Sequence, residues 1–231
     1  MRAYQIPVTP QGLLIAFIVL HLPFAIWPAL DLVVSGLFYH PVSGFWLGQS
    51  WLGSNLRHII HQLMLATGFF GLLGLVMSLV YKRPMLVPQR DWAFVTFLYI
   101  LGPGLLVNSL FKEFWGRARP RDVFEFGGDL SFTPVFQISD QCDFNCSFTS
   151  GEGAGATAMA LSVWVLTHGL QDERLRHRLR SIALILALTG IVLRIVFGAH
   201  FTSDTLFSIF FVLTIAFVLA RFLKPSALIS K

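Results

Sequence analysis

Charge is scarce in this chain: 12 acidic and 17 basic side chains make up 13% of 231 residues, against 55% that are hydrophobic. So little charge argues against a surface kept mostly in water. With 23 phenylalanines and a mean hydropathy of +0.69, the chain reads as helices that face lipid. Cysteine is nearly absent. Cys142 and Cys146 are the two present, and no further Cys or His accompanies them, which argues against zinc. An oxidising compartment would let them close a small turn as a disulfide. Internal repeats, low-complexity tracts and a second soluble domain are also missing, and the longest hydrophilic connection covers residues 112–150. The expectation is a single all-α, membrane-embedded domain over residues 1–231.

Six apolar runs are present, at about 12–38, 58–81, 92–111, 151–170, 181–199 and 204–222. Each approaches the roughly 20 residues that a helix needs to cross a bilayer, so the pattern predicts a polytopic protein with six transmembrane helices. The first run is too long for a signal-peptide core and lacks a small-residue cleavage site, so it is expected to be a span, kinked by Pro23 and Pro28.

Lys and Arg concentrate in cytoplasmic loops. With the N-terminus inside, Arg2, Lys82, Arg83, Arg90, Arg174, Arg176, Arg178, Arg180, Arg221, Lys224 and Lys231 are cytoplasmic, 11 of the 17 cations. The C-terminus is then cytoplasmic too. The net charge of +5 suits loops that meet anionic lipid and requires no nucleic acid. Against this trend, Arg57, Lys112, Arg117, Arg119, Arg121 and Arg194 fall on the outer side.

The stretch FKEFWGRARPRD, residues 111–122, holds four of these outer cations. Glu113 and Arg117 are spaced for an ordinary solvated pair, and Arg121 has Asp122 beside it and Glu125 one turn on. Lys112 and Arg119 are about two helical turns apart, which would put both on one face, before Pro120 ends the helix. Two cations on one face could hold an oxyanion. A second piece, CSFTSGEGAGA at 146–156, opens the fourth run. Ser150 reads as an N-cap, and the amides behind it could seat a phosphate; the alternative is a capped helix whose small residues let neighbours pack closely. A third piece, LRIVFGAHFTSD at 193–204, places Arg194, His200 and Asp204 together, all costly at a membrane-embedded or interfacial position. His200 and Asp204 are one turn apart, so the carboxylate could bond one imidazole nitrogen and leave the other to attack. His58 and His61 share a helix face, where hydrogen bonds to neighbours are expected in preference to a metal. Trp46 and Trp51 suit an interfacial aromatic belt or a short helix on the membrane surface.

These pieces resemble the type 2 phosphatidic acid phosphatase (PAP2) superfamily, whose pattern is KxxxxxxRP, PSGH and SRxxxxxHxxxD. Lys112, Arg119 and Pro120 match the first motif. Arg194, His200 and Asp204 match the third, with Leu193 where the family has Ser. The second reads Thr149, Ser150, Gly151, Glu152, so the family's Pro and His are both replaced. The resemblance implies the helical bundle shared with vanadium haloperoxidases and phosphoryl transfer through a phosphohistidine without a metal or other cofactor. His200 would be the nucleophile and Asp204 its orienting group, while Lys112, Arg119, Arg194, Ser150 and the Gly151 amide would hold the phosphoryl oxygens.

Glu152 is the departure. It could be a substitute general acid, an ion-pair partner of a site cation, or a favourable charge in the first helical turn. The implied protein is a phosphoric monoester hydrolase of a bacterial inner membrane, with its site facing the periplasm and a phosphorylated membrane lipid as substrate. The Ser-Gly-Glu variant and the preceding FTPVFQISDQCDFNCSF are similar to lipid A 4′-phosphatases. Undecaprenyl diphosphate and phosphatidylglycerol phosphate phosphatases, or a lipid phosphotransferase, are the enzymatic alternatives. An anion-binding transporter or an inactive scaffold is the non-enzymatic one.

Overall fold

Thr9 starts the first helix by accepting the Gly12 amide on Oγ1 at 3.0 Å, and Pro10 supplies a preset backbone at the first helical position. Helix α1 covers Pro10–Ile26 and α2 covers Leu30–Gly36, with a bend of 86° between them. The expected kink is thus a break. Trp27 leaves the helical region because it precedes Pro28, whereas Pro23 stays inside α1. The computed structural model describes residues 9–82 and 86–228. Arg2, Arg83 and Lys231, counted above for orientation, lie outside the described residues.

The short α3, Trp46–Gln49, leads into α4, Trp51–Tyr81, whose N-terminus Ser50 caps through Gly53 N at 3.1 Å. Helix α5 runs from Gln89 to Phe114. Pro103 has no amide to give, and around it the helix widens into a π stretch over Ile100–Phe111. The side chains of Asn108 and Ser109 reach back five residues to the carbonyls of Pro103 and Gly104, at 2.7 and 3.2 Å. Helices α6, Gly151–Leu166, α7, Glu173–Val196, and α8, Thr202–Leu223, complete the bundle. No strand element occurs among the described residues.

Helices α4, α5, α7 and α8 are long and apolar enough to cross a membrane, and the bent α1–α2 pair would make a fifth span. Six spans were expected. The fourth run differs because α6 has only 16 residues, about 24 Å of helix against a hydrocarbon layer of about 30 Å. It reads as apolar because it is the centre of the protein: every residue from Gly153 to Met159 is buried. Ala154 and Ala158 pack with Phe94, Leu98 and Val212 on one side, and Ala156 and Met159 with Ile60, Met64 and Ala187 on the other. The outer helices, by contrast, expose large apolar side chains such as Leu65, Phe69, Phe70, Leu184 and Ile185, a surface suited to lipid.

Lipid removes much of the hydrophobic drive for helices to associate, so close contact must do more of the work. On α4, Gly68, Gly71 and Gly74 give way to Tyr99, Val95 and Trp92 of α5. A Cβ at each would come within 2.8, 2.4 and 2.4 Å of those side chains. Alternating chain direction then brings the start of α4, the end of α5, the start of α6, the end of α7 and the start of α8 together.

Candidate active site

The cation-rich stretch is not one helix. Trp115 Nε1 donates to Val135 O at 3.0 Å, and Gly116 turns the chain at φ 63°, so α5 stops at Phe114. A side chain at Gly116 would also collide with Ser139 O. Arg119 lies in extended backbone beyond this turn, so it does not share a helix face with Lys112. The two nevertheless converge on Asn145: Lys112 Nζ donates to its Oδ1 at 2.8 Å and Arg119 Nη2 to its carbonyl at 2.6 Å. Asn145 belongs to the loop that the Cys142–Cys146 disulfide closes.

Arg117 departs most from its expected solvated pair with Glu113. It is fully buried, and its guanidinium donates to Asp31 Oδ2 at 2.9 Å, Asp204 Oδ1 at 2.5 Å, Ser203 Oγ at 3.0 Å and Thr133 O at 2.9 Å. The Phe201 ring lies 4.4 Å from the guanidinium carbon. Asp31 also accepts the Ser203 amide at 2.9 Å. One arginine therefore ties the loop after α5 to α2 and to the start of α8. Arg121, expected beside Asp122, is 3.7 Å from it with both side chains exposed.

After α7, Gly198 adopts φ 59° and the next amides fold back onto Arg194 O, with His200 N at 3.2 Å. This turn places His200 in the interior, 1% exposed, with Nδ1 2.6 Å from Ser147 O. A carbonyl can only accept, so Nδ1 carries the proton and Nε2 keeps its lone pair. The spacing-based bond from Asp204 to His200 is not formed among the described residues. Asp204 instead accepts from Arg117, from Ser147 Oγ at 2.5 Å and from Phe201 N at 2.9 Å, so it reaches His200 only through Ser147. The Asp204 carboxylate caps the first turn of α8 by accepting the backbone amide of Phe201, the residue before the helix, and this bond holds it off the His200 ring. Burial, followed by the charges of Arg194, Lys112 and Arg119, holds the His200 pKa well below the ordinary imidazole value.

At the start of α6, Ser150 is the expected N-cap and its Oγ accepts the Gly153 amide at 3.0 Å. Gly151 is close to Lys112: a Cβ there would sit 3.5 Å from Lys112 Cε and 2.6 Å from Asn108 Oδ1. Glu152 accepts from Arg57 through both Nε and Nη2 and lies 3.4 Å from Arg194 Nη1. Two guanidiniums on one carboxylate favour its ionised form. Of the sequence candidates, Lys112, Arg119, Ser150, Gly151, Glu152, Arg194, His200 and Asp204 all gather at one end of the bundle. Among the described residues, no group of three His, Cys, Asp or Glu could hold a metal ion.

Five participants escaped the sequence reading: Asp31, Arg57, Arg117, Asn145 and Ser147. Asp31 did leave a signal, as a carboxylate inside an apolar run. Arg57 left a weaker one, at the start of another. Asn145 and Ser147 each contribute a side-chain oxygen and a backbone carbonyl, and the carbonyl contacts, to Arg119 and His200, are encoded by no residue pattern.

Residues 93–227 match the PAP2 superfamily, more than half of the chain. The chain belongs to this superfamily. The PAP2 match includes every motif residue and Arg117, but Asp31 and Arg57 precede it. A lipid A 4′-phosphatase of Francisella tularensis subsp. novicida (strain U112) is 33% identical over 193 residues, 82% of this chain and 84% of that protein. Lipid A 4′-phosphatases of Rhizobium etli and Rhizobium leguminosarum are 38% and 37% identical over 106 residues. Those matches cover 46% of this chain and 39% and 43% of the two relatives. No solved structure matches this PAP2 chain.

Proposed function

We propose that the chain is a lipid phosphatase that removes a phosphate from a lipid head group, with the 4′-phosphate of lipid A as the preferred substrate. Relatives of that name and the family match support the class. The observation that carries the mechanism is the bond from His200 Nδ1 to Ser147 O, because it leaves a neutral imidazole with Nε2 available as the nucleophile. Nε2 attacks phosphorus, the bond from phosphorus to the head-group oxygen breaks, and that oxygen leaves with a proton from water. A second water then cleaves the phosphohistidine, releasing phosphate and restoring His200. Lys112, Arg119 and Arg194, with the Gly151 amide and the Ser150 hydroxyl, stabilise the charge on the transferring group; such positioning supplies much of the catalysis in phosphoryl transfer. Asp204 is a positioning residue that acts through Ser147.

In this reading Glu152 holds Arg57 and Arg194 in place and is not a proton donor. That pairing favours a second substrate class, a lipid diphosphate, whose leaving group needs little protonation. The site faces the periplasm of a bacterial inner membrane, and the mechanism needs no metal. Phosphate release by the purified protein in detergent, measured on lipid A, undecaprenyl diphosphate and phosphatidylglycerol phosphate, tests the reading. Release from lipid A that survives EDTA, is inhibited by vanadate and is lost in His200→Ala is the expected result. No release from any of the three would reject the phosphatase.

A further inference from the structure

Beside the phosphate site lies a cavity of about 450 Å³. Its wall includes Arg119 and Arg194, which the proposed chemistry uses, and also Arg57 and Arg121, which it does not; Phe126 and Phe197 supply apolar faces. Ala199, the residue before His200, lines it as well, so the cavity adjoins the nucleophile's turn.

The charges in this cavity do not balance. Glu152 alone answers both Arg57 and Arg194, and Asp122 meets Arg121 only at 3.7 Å and in solvent. Arg119 finds a carbonyl, and the Arg194 Nε is buried without a hydrogen-bond partner among the described residues. Four guanidiniums thus face two carboxylates. A single phosphoryl dianion engaged with Lys112, Arg119 and Arg194 leaves Arg57 and Arg121 as additional positive charge around a space wider than one phosphate. Guanidiniums are suited to planar, paired recognition of carboxylate and phosphate oxygens.

We propose that this cavity is a second anion subsite, which takes a phosphate or carboxylate carried on the same head group as the phosphate to be removed. The proposal rests on the phosphatase reading for what occupies the first site. The aromatic faces suit the carbon skeleton that joins the two anions, and Arg121 and Arg57 hold the second one. The preferred head group is therefore at least doubly anionic.

Binding is measured apart from turnover, by calorimetry on the purified protein in detergent with glycerol bisphosphate and glycerol phosphate as probes. Wild-type protein is expected to bind the bisphosphate about tenfold or more tightly than the monophosphate, and Arg121→Ala to reduce that ratio toward unity. Arg121 is exposed at the surface, so this variant should fold; Arg121→Glu should lower the ratio further. An unchanged ratio in both variants, or no bisphosphate preference in the wild type, would overturn the subsite. Phosphate release from lipid A, undecaprenyl diphosphate and phosphatidylglycerol phosphate, followed on the same wild-type preparation, reports on the phosphatase reading independently. A bisphosphate preference without hydrolysis would sink that reading and keep the subsite.

Discussion

Two arginine–carboxylate clusters flank His200, and they are built to opposite proportions. One joins a single arginine, Arg117, to two carboxylates, Asp31 and Asp204, all at most 1% exposed. The other joins two arginines, Arg57 and Arg194, to a single carboxylate, Glu152, with the Arg57 side chain 39% exposed. In the first, every charged group is met by neighbours, including Ser203, Ser147 and the Phe201 amide, and nothing remains to bind a ligand. In the second, cations outnumber the anion beside an open cavity. Proportion and exposure together separate a cluster that holds the fold from one that can receive a substrate.

The largest effect should come from breaking the closed cluster. Arg117→Ala strands two buried carboxylates, a change worth about 3–5 kcal/mol, so the variant should lose folded yield or melt far below wild type in detergent. Thermal melts by size-exclusion recovery would show it. A variant as stable as wild type would mean that solvent reaches Asp31 and Asp204.

Opening the other cluster should act on chemistry more than on folding. Glu152→Gln frees Arg57 and Arg194 to reorient and should cut turnover by roughly 10–100-fold. The loss should be similar on lipid A and on p-nitrophenyl phosphate, because positioning is damaged and not leaving-group protonation. A loss confined to the poorer leaving group would restore the general-acid reading of Glu152.

A smaller effect concerns protons. The folded pKa of His200 lies well below its unfolded value near 6.5, so the unfolded chain binds the extra proton first as pH falls. Stability from this group is complete above about pH 6.5 and declines as pH drops below it toward the folded pKa. Wild type should therefore lose more melting temperature between neutral pH and about pH 5 than His200→Gln does. Equal losses would show that His200 is not the group responsible. The smallest effect belongs to the exposed Arg121–Asp122 pair: Asp122→Asn should change stability by about 0–1 kcal/mol, within the range of surface pairs.

The same contrast explains what could be read from the chain. Motif spacing singled out Lys112, Arg119, Ser150, Gly151, Arg194 and His200, and the fold brings these residues together at one end of the bundle. Composition announced the lipid-facing helices. Spacing failed where the backbone departs from a helix: Gly116 separates Lys112 and Arg119 into different elements, and Gly198 puts His200 ahead of α8, where its ring meets Ser147 O and Asp204 bonds Ser147 Oγ and the Phe201 amide instead. It failed again for Arg117, because a cation four residues from a glutamate looks solvated until the distant Asp31 is folded against it. Hydropathy likewise could not tell α6 from a span, since lipid and a protein interior are alike to a stretch of Gly and Ala.

That last confusion has a mechanical side. Membranes of different thickness tilt or stretch the helices that touch lipid, at modest cost per ångström. Helix α6, which begins at Gly151 and Glu152 behind its Ser150 cap, is the shortest of the packed core helices and is jacketed by α4, α5, α7 and α8. In a bilayer the four long helices would act as a suspension, taking up changes in thickness while the short one kept its alignment with His200.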